Sequence, residues 1–427
     1  MKVLIRGGRL IDPKSGIDGL YDILIDGPVI EEISRGARRP DSRIKVIDAS
    51  GKIVSPGLID VHAHLREPGY EYKETIKTGT LAAVRGGFTT VVCMANTDPV
   101  NDNRSVTKFI IDKALSEGSC RVLPCGAITK GLKSVELAEI GEMFEAGITA
   151  ISDDGRSVRS AGLLRKALEY AKIFKIPVIS HCEDETLSGG YVHEGRASLL
   201  SGLEAVPAIA EEVIVERDIA VARYVDAPIH LTHISTAGSI DIIERFKKGF
   251  KKITCDTCPH YFTLTDEATL DYNTNAKVNP PLRSKHDVEA IKAGLRKGTI
   301  DIIATDHAPH EITSKDVEFD LAASGISGLE TALALALGLV HEGVLTMNEL
   351  LAKMTVNPAK LLGLKSGGIA EGGRADIIIF DPDLEWTVDK DLFTSKGRNT
   401  PFDGMTLKGK NLLTMVDGRI VYRDEGF

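Results

Sequence analysis

Between residues 54 and 368 the sequence alternates short β-rich runs with longer runs of helical periodicity, and this repeat constrains the fold more than any other feature. The β-rich runs, eight in all, are PGLIDVHAH, GFTTVVCM, CRVLPCGAI, GITAISDD, IPVISHCE, APIHLTHIS, KKITCDTCPH and DIIATDHAP. Helical runs separate them, such as RSVTKFIIDKALSEG after the second and SAGLLRKALEYAKIFK after the fourth. Because parallel strands need helical crossovers and a cycle of eight closes on itself, the repeat predicts a (β/α)8 barrel. An open doubly wound sheet is the structural alternative.

The two ends of the chain have a different pattern. Residues 1–53 contain VLIRGGRLI, YDILIDG, VIEEIS and IKVIDASGKIV, and residues 369–427 contain ADIIIFDPD, EWTVD, LLTMVDG and RIVYRD. These runs alternate apolar and polar residues and are broken by Gly, Pro or Asp, which is typical of strands. Neither segment is large enough to bury a sheet face alone. We therefore predict a barrel over residues 54–368 and one composite β-sandwich domain formed by residues 1–53 and 369–427.

Composition and charge exclude several classes of protein. Of the 427 residues, 43% are hydrophobic and 26% are charged, as in ordinary globular enzymes. The formal net charge of −9, without a block of basic residues, argues against binding to nucleic acid. The first residues lack the apolar core of a signal peptide, and the longest apolar run, TALALALGLV, is about half of a membrane span. We predict a cytoplasmic protein that acts on a small molecule and contacts no membrane.

The six cysteines lie mostly in apolar, strand-like runs, which is typical of reduced, buried thiols. Cys255 and Cys258 form a CxxC pair, but no second pair of ligands at matching spacing accompanies it. A redox CxxC normally opens a helix, whereas this pair lies in a β-rich run before Pro259. We therefore predict neither a zinc site nor a redox role for it.

Metal-binding side chains recur where the predicted strands end. In DVHAHLREPG, His62 and His64 are two residues apart, so both face the same side of a strand. Other predicted strand ends provide Asp153 and Asp154, His181, His233 and Asp306. In a (β/α)8 barrel the carboxyl ends of strands distant in sequence converge, and imidazole with carboxylate suits Zn²⁺. One such histidine alone is more simply a buried, hydrogen-bonded residue, but the whole set predicts a metal centre.

Six motifs, PGLIDVHAHLREPG, ISHCED, LTHIS, NPPLR, ATDHAPH and GGRADIIIFDP, give the chain a resemblance to the amidohydrolase superfamily. Within that superfamily it is most similar to the cyclic amidases, and among them to class I dihydroorotases, over nearly its whole length. The resemblance implies zinc-dependent hydrolysis of a cyclic amide. It also implies that His62, His64 and Asp306 bind the more buried zinc ion, and that His181 and His233 bind a second one.

A residue on the fourth strand separates these relatives. The resemblance to hydantoinases, allantoinases and other dihydroorotase classes would imply a carboxylated lysine there, but GITAISDDG has no lysine. Class I dihydroorotases have an aspartate instead, which matches Asp154, and strand alternation turns Asp153 to the other side. The resemblance therefore implies two zinc ions bridged by Asp154.

The resemblance also implies how a carboxylate-bearing substrate binds. Dihydroorotate and N-carbamoyl-L-aspartate both have a carboxylate, which Arg66 would hold in a bidentate contact that a lysine could not reproduce. Asn96 and His310 match further contacts to this carboxylate, beside His64. From the residues alone, Arg66 could equally be a surface ion-pair partner and Asn96 a turn former.

The pyrimidine ring has its own implied contacts. Asn279 matches one of them, although the prolines that follow Asn279 could equally account for the position of this residue. Ser324 and Gly325 lie in the loop whose backbone meets the ring. Asp306 is implied to take a proton from the attacking water and to donate it to the leaving ring nitrogen. The family commonly has proline where this chain has Ala95 and Ser324, so we expect less rigid substrate loops.

Together these features predict a dihydroorotase, which reversibly cyclises N-carbamoyl-L-aspartate to dihydroorotate in pyrimidine biosynthesis. One alternative is another cyclic amidase, an allantoinase or a hydantoinase, which the missing lysine on strand four disfavours. A second alternative is a non-catalytic scaffold for aspartate transcarbamoylase, which the presence of all six ligand residues disfavours. The resemblance further implies a homodimer and assembly with aspartate transcarbamoylase.

Overall fold

The computed structural model describes residues 2–36 and 44–427. In chain order its strands are β1 (Val3–Asp12), β2 (Ile17–Asp26), β3 (Val29–Ser34), β4 (Lys45–Asp48), β5 (Ile53–Pro56), β6 (Leu58–Ala63), β7 (Phe88–Cys93), β8 (Arg121–Gly126), β9 (Ala150–Ser152), β10 (Val178–His181), β11 (Val192–His193), β12 (Ala205–Val206), β13 (Ile229–Thr232), β14 (Ile253–Thr257), β15 (Ile302–Ile303), β16 (Ile377–Thr387), β17 (Thr406–Val416) and β18 (Arg419–Arg423).

Eight parallel strands form the barrel, in the spatial order β6-β7-β8-β9-β10-β13-β14-β15. Each of the eight β-rich runs contains one of these strands, so the predicted barrel is confirmed. Between β15 and β6 the barrel is closed by single contacts: the His64 N–H donates to the His307 carbonyl at 2.8 Å. Next to this bond, the buried Asp60 carboxylate accepts the Thr305 N–H at 3.0 Å and the Thr305 hydroxyl at 2.5 Å.

Helices cover the outside of the barrel. They are α1 (Ile76–Arg85), α2 (Arg104–Glu117), α3 (Ile140–Ala146), α4 (Ala161–Phe174), α5 (Arg196–Ser201), α6 (Ile209–Tyr224), α7 (Ala237–Lys247), α8 (Pro259–Thr263), α9 (Lys285–Lys297), α10 (Ala332–His341), α11 (Met347–Met354) and α12 (Val356–Leu361). In α4 the buried residues are Leu164, Ala167, Leu168 and Ala171, which share one face because their spacing follows the helical period. The Ser160 hydroxyl caps this helix by accepting the Leu163 N–H.

Strands from both ends of the chain form a second eight-stranded sheet, in the order β18-β17-β16-β5-β1-β2-β3, with β4 beside β1. Its pairs are antiparallel except those of β1 with β4 and β5. The two chain ends meet where β16 pairs with β5, with Ile377 opposite Pro56. A separate apolar cluster that includes Ile5, Ile23 and Leu413 stabilises this sheet. A mostly antiparallel β domain built from both termini is therefore confirmed.

The end of β5 lies close to the predicted boundary between the two domains. This strand pairs within the terminal sheet as far as Pro56, three residues beyond the expected limit of 53. The division into 1–53 with 369–427 and 54–368 stays a prediction.

The apolar run at 331–340 forms α10, whose side chains are largely buried against the barrel and β17. Among the residues that the structure describes, no helix combines the length and apolar character needed to cross a membrane.

Candidate metal centre and substrate cavity

His62 and His64 point from the end of β6 into the middle of the barrel mouth. His62 is fully buried, and its Nδ1 lies 2.7 Å from the Thr232 hydroxyl. Because the Thr232 hydroxyl uses its hydrogen to donate to Asp256, it accepts a hydrogen bond from the His62 Nδ1. His64 donates from Nδ1 to the Asn96 side-chain oxygen at 2.9 Å. These partners assign the proton of each ring to Nδ1. Each Nε2, which can hold either a proton or a metal ion, is therefore directed at the same point.

Two carboxylates lie at that point. Asp306, three residues after β15, has Oδ1 at 3.0 Å from the His64 Nε2 and 3.5 Å from the His62 Nε2. Asp154, two residues after β9, has Oδ2 at 3.2 Å and 3.5 Å from the same two nitrogens. Three strand ends distant in sequence thus bring four polar side chains together.

A second pair of histidines approaches Asp154 from its other side. His181 ends β10 and His233 follows β13, and their nitrogens, Nδ1 and Nε2, lie 2.9 Å apart. The Oδ1 atom of Asp154 lies 3.5 Å from the His181 Nδ1 and 3.4 Å from the His233 Nε2. Asp154 consequently has one oxygen beside each histidine pair.

The donor set fits a metal ion. Within the described part of the chain, the buried His62 Nε2 and Asp154 Oδ1 atoms have no hydrogen-bond partner, which is costly for buried polar groups. Two sets of three residues each have their ligand atoms within 4.8 Å of one another. One set is His62, His64 and Asp306, and the other is His62, Asp154 and His233. Imidazole nitrogen and carboxylate oxygen are the ligands that Zn²⁺ and similar divalent ions take in proteins.

The charges in the cluster also favour a cation. Although burial disfavours an imidazolium, the carboxylates of Asp154 and Asp306 raise the pKa of His62 to about 10. Burial opposes ionisation of Asp154 as well, but the charge of His62 and the proximity of His181 and His233 hold its pKa well below the usual range. The cluster therefore contains two ionised carboxylates that stabilise positive charge between them.

Asp153 and Lys130 lie away from this cluster. The Asp153 carboxylate accepts the N–H groups of Ile128 and Thr129 at 2.8 Å and 2.9 Å. Lys130 is half exposed and lies 3.6 Å from Glu136. Of the two adjacent aspartates, only Asp154 faces the histidines.

Other histidines near the cluster have their own surroundings. His230 is fully buried and lies 2.8 Å from Asp256 on the neighbouring strand, so it faces away from the cluster. His307 accepts the Gly328 N–H at Nδ1 and directs Nε2 toward Glu74 at 3.5 Å. His260 has an unpartnered Nε2 within the described chain, and its ligand atom lies within 4.8 Å of Cys258 and Asp306.

The CxxC pair lies at the end of a β-rich run, as expected, with Cys255 in β14 and Cys258 just before Pro259. The short helix α8 begins directly after Cys258, because Pro259 at its first position is compatible with a helix start. Cys255 and Cys258 are nevertheless separate buried thiols. Burial raises the pKa of both, so neither has the thiolate character of a redox cysteine.

The cluster lies in a cavity of about 460 Å³ whose wall includes Arg66. The Arg66 Nε donates to the Pro309 carbonyl at 3.3 Å, and one terminal nitrogen of Arg66 lies 3.4 Å from the His310 Nε2. No carboxylate of the described residues lies within 4.0 Å of its guanidinium. Burial lowers the pKa of Arg66, and the charges of Asp306 and Asp154 oppose this effect. An unpaired guanidinium in a cavity is suited to a carboxylate ligand.

The other residues predicted to bind substrate also line this cavity or touch its wall. Asn96, Asn279, His310 and Ser324 line it. The His310 Nε2–H donates to the Ser324 carbonyl at 2.9 Å, which joins the two ends of the loop after β15. Gly325 follows with φ of 146°, and a Cβ there would lie 2.6 Å from the Ala308 carbonyl oxygen. Only glycine avoids that clash.

Three residues of the cavity have backbone conformations that L-residues rarely adopt. The φ angles are 63° for Arg66, 42° for His233 and 44° for Asp306. Such conformations are destabilising and are found where surrounding structure fixes a side chain for function. All three are residues that the sequence assigns to the site.

Glu183 and Lys277 also line the cavity, and neither was predicted. The Glu183 carboxylate accepts the His181 Nε2–H at 2.9 Å and the Asn279 amide N–H at 3.0 Å. Its position two residues after His181 in ISHCED could have indicated this, because strand alternation puts both on one side. Lys277 lies two residues before Asn279, but no strand was predicted there, so the sequence did not indicate the direction of the Lys277 side chain.

Comparison with known proteins gives consistent matches. The model of the amidohydrolase family matches residues 53–421. A dihydroorotase of Geobacter metallireducens is 53% identical over 424 residues, 99% of this chain and 100% of that protein. A dihydroorotase of Pelobacter propionicus is 51% identical over the same share of both chains. Among solved structures, an L-hydantoinase of Arthrobacter aurescens is 25% identical with a TM-score of 0.88, covering 99% of this chain and 96% of that one.

A dihydropyrimidinase of Brevibacillus agri is another structural match. It is 24% identical, with a TM-score of 0.86 over 100% of this chain and 96% of that one. At this identity the match shows that the two chains share a fold.

Proposed function

The chain belongs to the amidohydrolase family, and from this premise we propose that it is a metal-dependent dihydroorotase, a hydrolase acting on a cyclic amide. Dihydroorotases at about half identity over the whole chain support this activity. The observation that favours it within this chain is Arg66, a guanidinium without a carboxylate partner in the described chain, in the same cavity as the histidine cluster. A substrate carboxylate would supply the missing partner.

The proposed cofactor is a pair of Zn²⁺ ions. One ion would be held by His62, His64 and Asp306, and the other by His181 and His233. Asp154 would contribute to the binding of both ions. The separate approach of the two Asp154 oxygens to the two histidine pairs supports this assignment. When bound, such ions lower the pKa of a water molecule and polarise the carbonyl group under attack.

Asp306 is the proposed general base and acid. Burial opposes its ionisation, but the charge of His62 and the proximity of His64 lower its pKa, so it is ionised at neutral pH. In that state it can accept a proton from the attacking water. The same carboxyl group then donates the proton to the ring nitrogen that leaves.

The substrate would lie between Arg66 and the histidine cluster. Its carboxylate would accept hydrogen bonds from Arg66 and the Asn96 amide, whose oxygen already accepts from His64. His310 and the loop at Ser324 and Gly325 would complete this side of the site. Holding the carboxylate at one end fixes the position of the ring carbonyl at the other.

Glu183 is a proposed positioning residue. Because it accepts the His181 Nε2–H, the lone pair of that ring stays on Nδ1, the atom beside Asp154. It also accepts from the Asn279 amide nitrogen, so the Asn279 oxygen is directed to the cavity, where a ring N–H can donate to it.

Two other functions have weaker support. The structural matches named hydantoinase and dihydropyrimidinase favour another cyclic amidase, but Asp154 occupies the place where a carboxylated lysine would be expected. A non-catalytic scaffold for aspartate transcarbamoylase would be expected to lack ligand residues, whereas all six converge in this chain. Homodimerisation, assembly with aspartate transcarbamoylase and a cytoplasmic location remain proposals from the resemblance.

The decisive experiment incubates the zinc-loaded protein separately with dihydroorotate, allantoin and dihydrouracil and follows ring opening. We expect turnover of dihydroorotate alone, and ring closure when N-carbamoyl-L-aspartate is supplied. Turnover of allantoin or dihydrouracil without dihydroorotate would contradict the proposal. Bound metal without any turnover would favour the scaffold.

A further inference from the structure

The carboxylate of Asp256, on β14, is fully buried inside the barrel next to the histidine cluster. Asp256 does not line the cavity, and it is not one of the proposed metal ligands. A buried carboxylate is destabilising unless hydrogen-bond donors surround it. Three donors converge on this one, and two of them connect it to histidines of the metal centre.

The first connection reaches His62 through a hydroxyl group. Thr232, at the end of β13, donates to the Asp256 Oδ2 at 3.0 Å, and its Oγ1 lies 2.7 Å from the His62 Nδ1. A hydroxyl has a single hydrogen, so it donates to the carboxylate only while it accepts from the imidazole. The Asp256 carboxylate thereby keeps the hydrogen of His62 on Nδ1 and leaves Nε2 for a metal ion.

The second connection reaches the main chain of His233. The Asp256 Oδ1 accepts the His233 N–H at 2.6 Å. The φ angle of His233 is 42°, a conformation that persists only where neighbouring groups fix it. The bond to Asp256 is such a contact, and the backbone that it fixes directs the His233 Nε2 to within 3.4 Å of the Asp154 Oδ1.

The third donor holds the carboxylate in place from the side that faces away from the metal centre. The His230 Nε2 lies 2.8 Å from the Asp256 Oδ2, and its Nδ1 lies 2.8 Å from the Thr254 hydroxyl. Because the carboxylate only accepts, the His230 Nε2 donates to it and Nδ1 accepts from Thr254. His230, Thr232 and Asp256 are at most 1% exposed, so water cannot replace these bonds.

Asp256 differs in its reach from Glu183. Glu183 accepts from His181 and so orients a ligand of one proposed ion. Asp256 connects to His62, assigned to the first ion, and to His233, assigned to the second. The two connections use different oxygens of the carboxylate and different kinds of group, a side-chain hydroxyl and a main-chain N–H.

We propose that Asp256 is a positioning residue for both metal ions, and that it acts on the first ion through the Thr232 hydroxyl and on the second through the His233 N–H. This inference rests on the proposed function, since it uses the assignment of His62 and His233 to different ions. It implies that a change at Thr232 affects one ion, whereas a change at Asp256 affects both.

Thr232→Val tests the first connection. Valine resembles threonine in shape but has no hydroxyl, so the buried His62 Nδ1–H loses its acceptor while the His233 N–H keeps Asp256. We expect the affinity for the ion at His62 to fall about 10- to 100-fold, with little change for the other ion. Thr232→Ser restores the hydroxyl and should restore the affinity. Competition with a zinc indicator measures both affinities without an activity assay.

Asp256→Asn tests both connections together. An asparagine has one oxygen and one NH2 group, so one connection meets a donor instead of an acceptor, whichever way the amide is turned. The other connection keeps an acceptor, but a neutral one, which binds a donor less strongly than a carboxylate does. We expect both affinities to fall, one of them about 10- to 100-fold and the other by less.

Two variants complete the design. Glu183→Gln acts on the ion at His181 and so identifies which binding step belongs to that ion. Asp287→Asn is the matched control, because Asp287 is also a buried carboxylate that accepts an N–H, from Ala237 at 2.9 Å, and a hydroxyl, from Ser284 at 2.5 Å. It lies at the outer helices, and its replacement should leave both zinc affinities unchanged.

The proposal is overturned if Asp256→Asn leaves either ion at wild-type affinity, or if Thr232→Val weakens neither ion or both ions alike. If Asp256→Asn does not fold, as judged by circular dichroism, Thr232→Val and its rescue by Thr232→Ser still test the connection to His62. A wild-type protein that binds no zinc would instead contradict the proposed function, so the two failures are distinguishable.

Discussion

The metal end and the mouth of the cavity are fixed by different parts of the chain. At the metal end, the residues lie in or within three positions of barrel strands and are at most 5% exposed. At the mouth, Arg66, Asn279 and Ser324 lie on loops, and Lys277 and Lys315 hold the loops of Asn279 and Ser324 together by bonds to main-chain carbonyls. Side chains of rigid strands suit chemistry that needs fixed distances, whereas loops suit the recognition of a ligand that enters and leaves.

The largest expected effect is at the metal end. Asp154→Ala removes the only carboxylate of the described chain that approaches both histidine pairs. We expect bound zinc to fall from two ions to one or fewer, and activity to fall by at least about a thousandfold, the loss expected when several kcal/mol of metal-dependent stabilisation disappears. Metal analysis after dialysis and a turnover assay measure these outcomes.

Asp153→Asn is the matched control for this variant. Its carboxylate accepts main-chain N–H groups of Ile128 and Thr129 and does not face the histidines, so zinc content should remain at two. Full activity of Asp154→Ala would mean that another group bridges the ions.

This end of the cavity was largely predictable from the sequence. Strand alternation puts His62 and His64 on one side, and barrel geometry brings distant strand ends together, so the histidines and Asp306 could be grouped without coordinates. The choice of Asp154 over Asp153 came from the resemblance to class I dihydroorotases. Glu183 follows the same rule from His181 but was missed. The positions of Lys277 and Lys315 could not be predicted, because they depend on tertiary contacts with carbonyl groups, which no side-chain pattern encodes.

A smaller effect is expected where the metal end meets the substrate. Glu183→Gln replaces an acceptor by a group that can donate to the His181 Nε2, so the ring proton can move to Nδ1, the atom beside Asp154. We expect affinity for the second zinc ion to fall about 10- to 100-fold, as for other residues that orient metal ligands. Competition with a zinc indicator measures it without an activity assay.

The neighbouring Asp184→Asn is its control. Asp184 accepts from the Thr186 N–H at 2.9 Å and contacts no predicted ligand, so zinc affinity should be unchanged. Unaltered zinc affinity in Glu183→Gln would show that the His181 tautomer does not depend on this carboxylate.

At the mouth, Arg66→Lys tests the proposed carboxylate contact. A lysine keeps the charge but loses the planar pair of donors, so we expect KM to rise and kcat/KM to fall roughly 10- to 100-fold, the value of one or two charge-assisted hydrogen bonds. Zinc content should stay at two, because Arg66 is not one of the proposed metal ligands. Steady-state kinetics with dihydroorotate measure the change, and an unchanged kcat/KM would exclude Arg66 from the substrate site.

The smallest effect is expected from stiffening the loop after β15. The resemblance implies a proline at the position of Ser324, and within the described chain the Ser324 N–H has no hydrogen-bond acceptor. Ser324→Pro therefore removes no bond and restricts the unfolded chain, which should raise the free energy of unfolding by about 0.4–1 kcal/mol. The carbonyl that accepts from His310 is retained, so KM should fall slightly or stay constant.

Ala323→Pro, one residue earlier, provides the contrast. The Ala323 N–H donates to the Ser314 carbonyl at 2.9 Å, and the Ala323 carbonyl accepts from Lys315. A proline there deletes the first bond and should lower the free energy of unfolding by about 1 kcal/mol, the net value of one hydrogen bond. Urea unfolding of both variants measures the difference. If both prolines destabilise the protein alike, Ser324 has a backbone conformation that proline cannot adopt, and the loop is already as rigid as its lysine contacts allow.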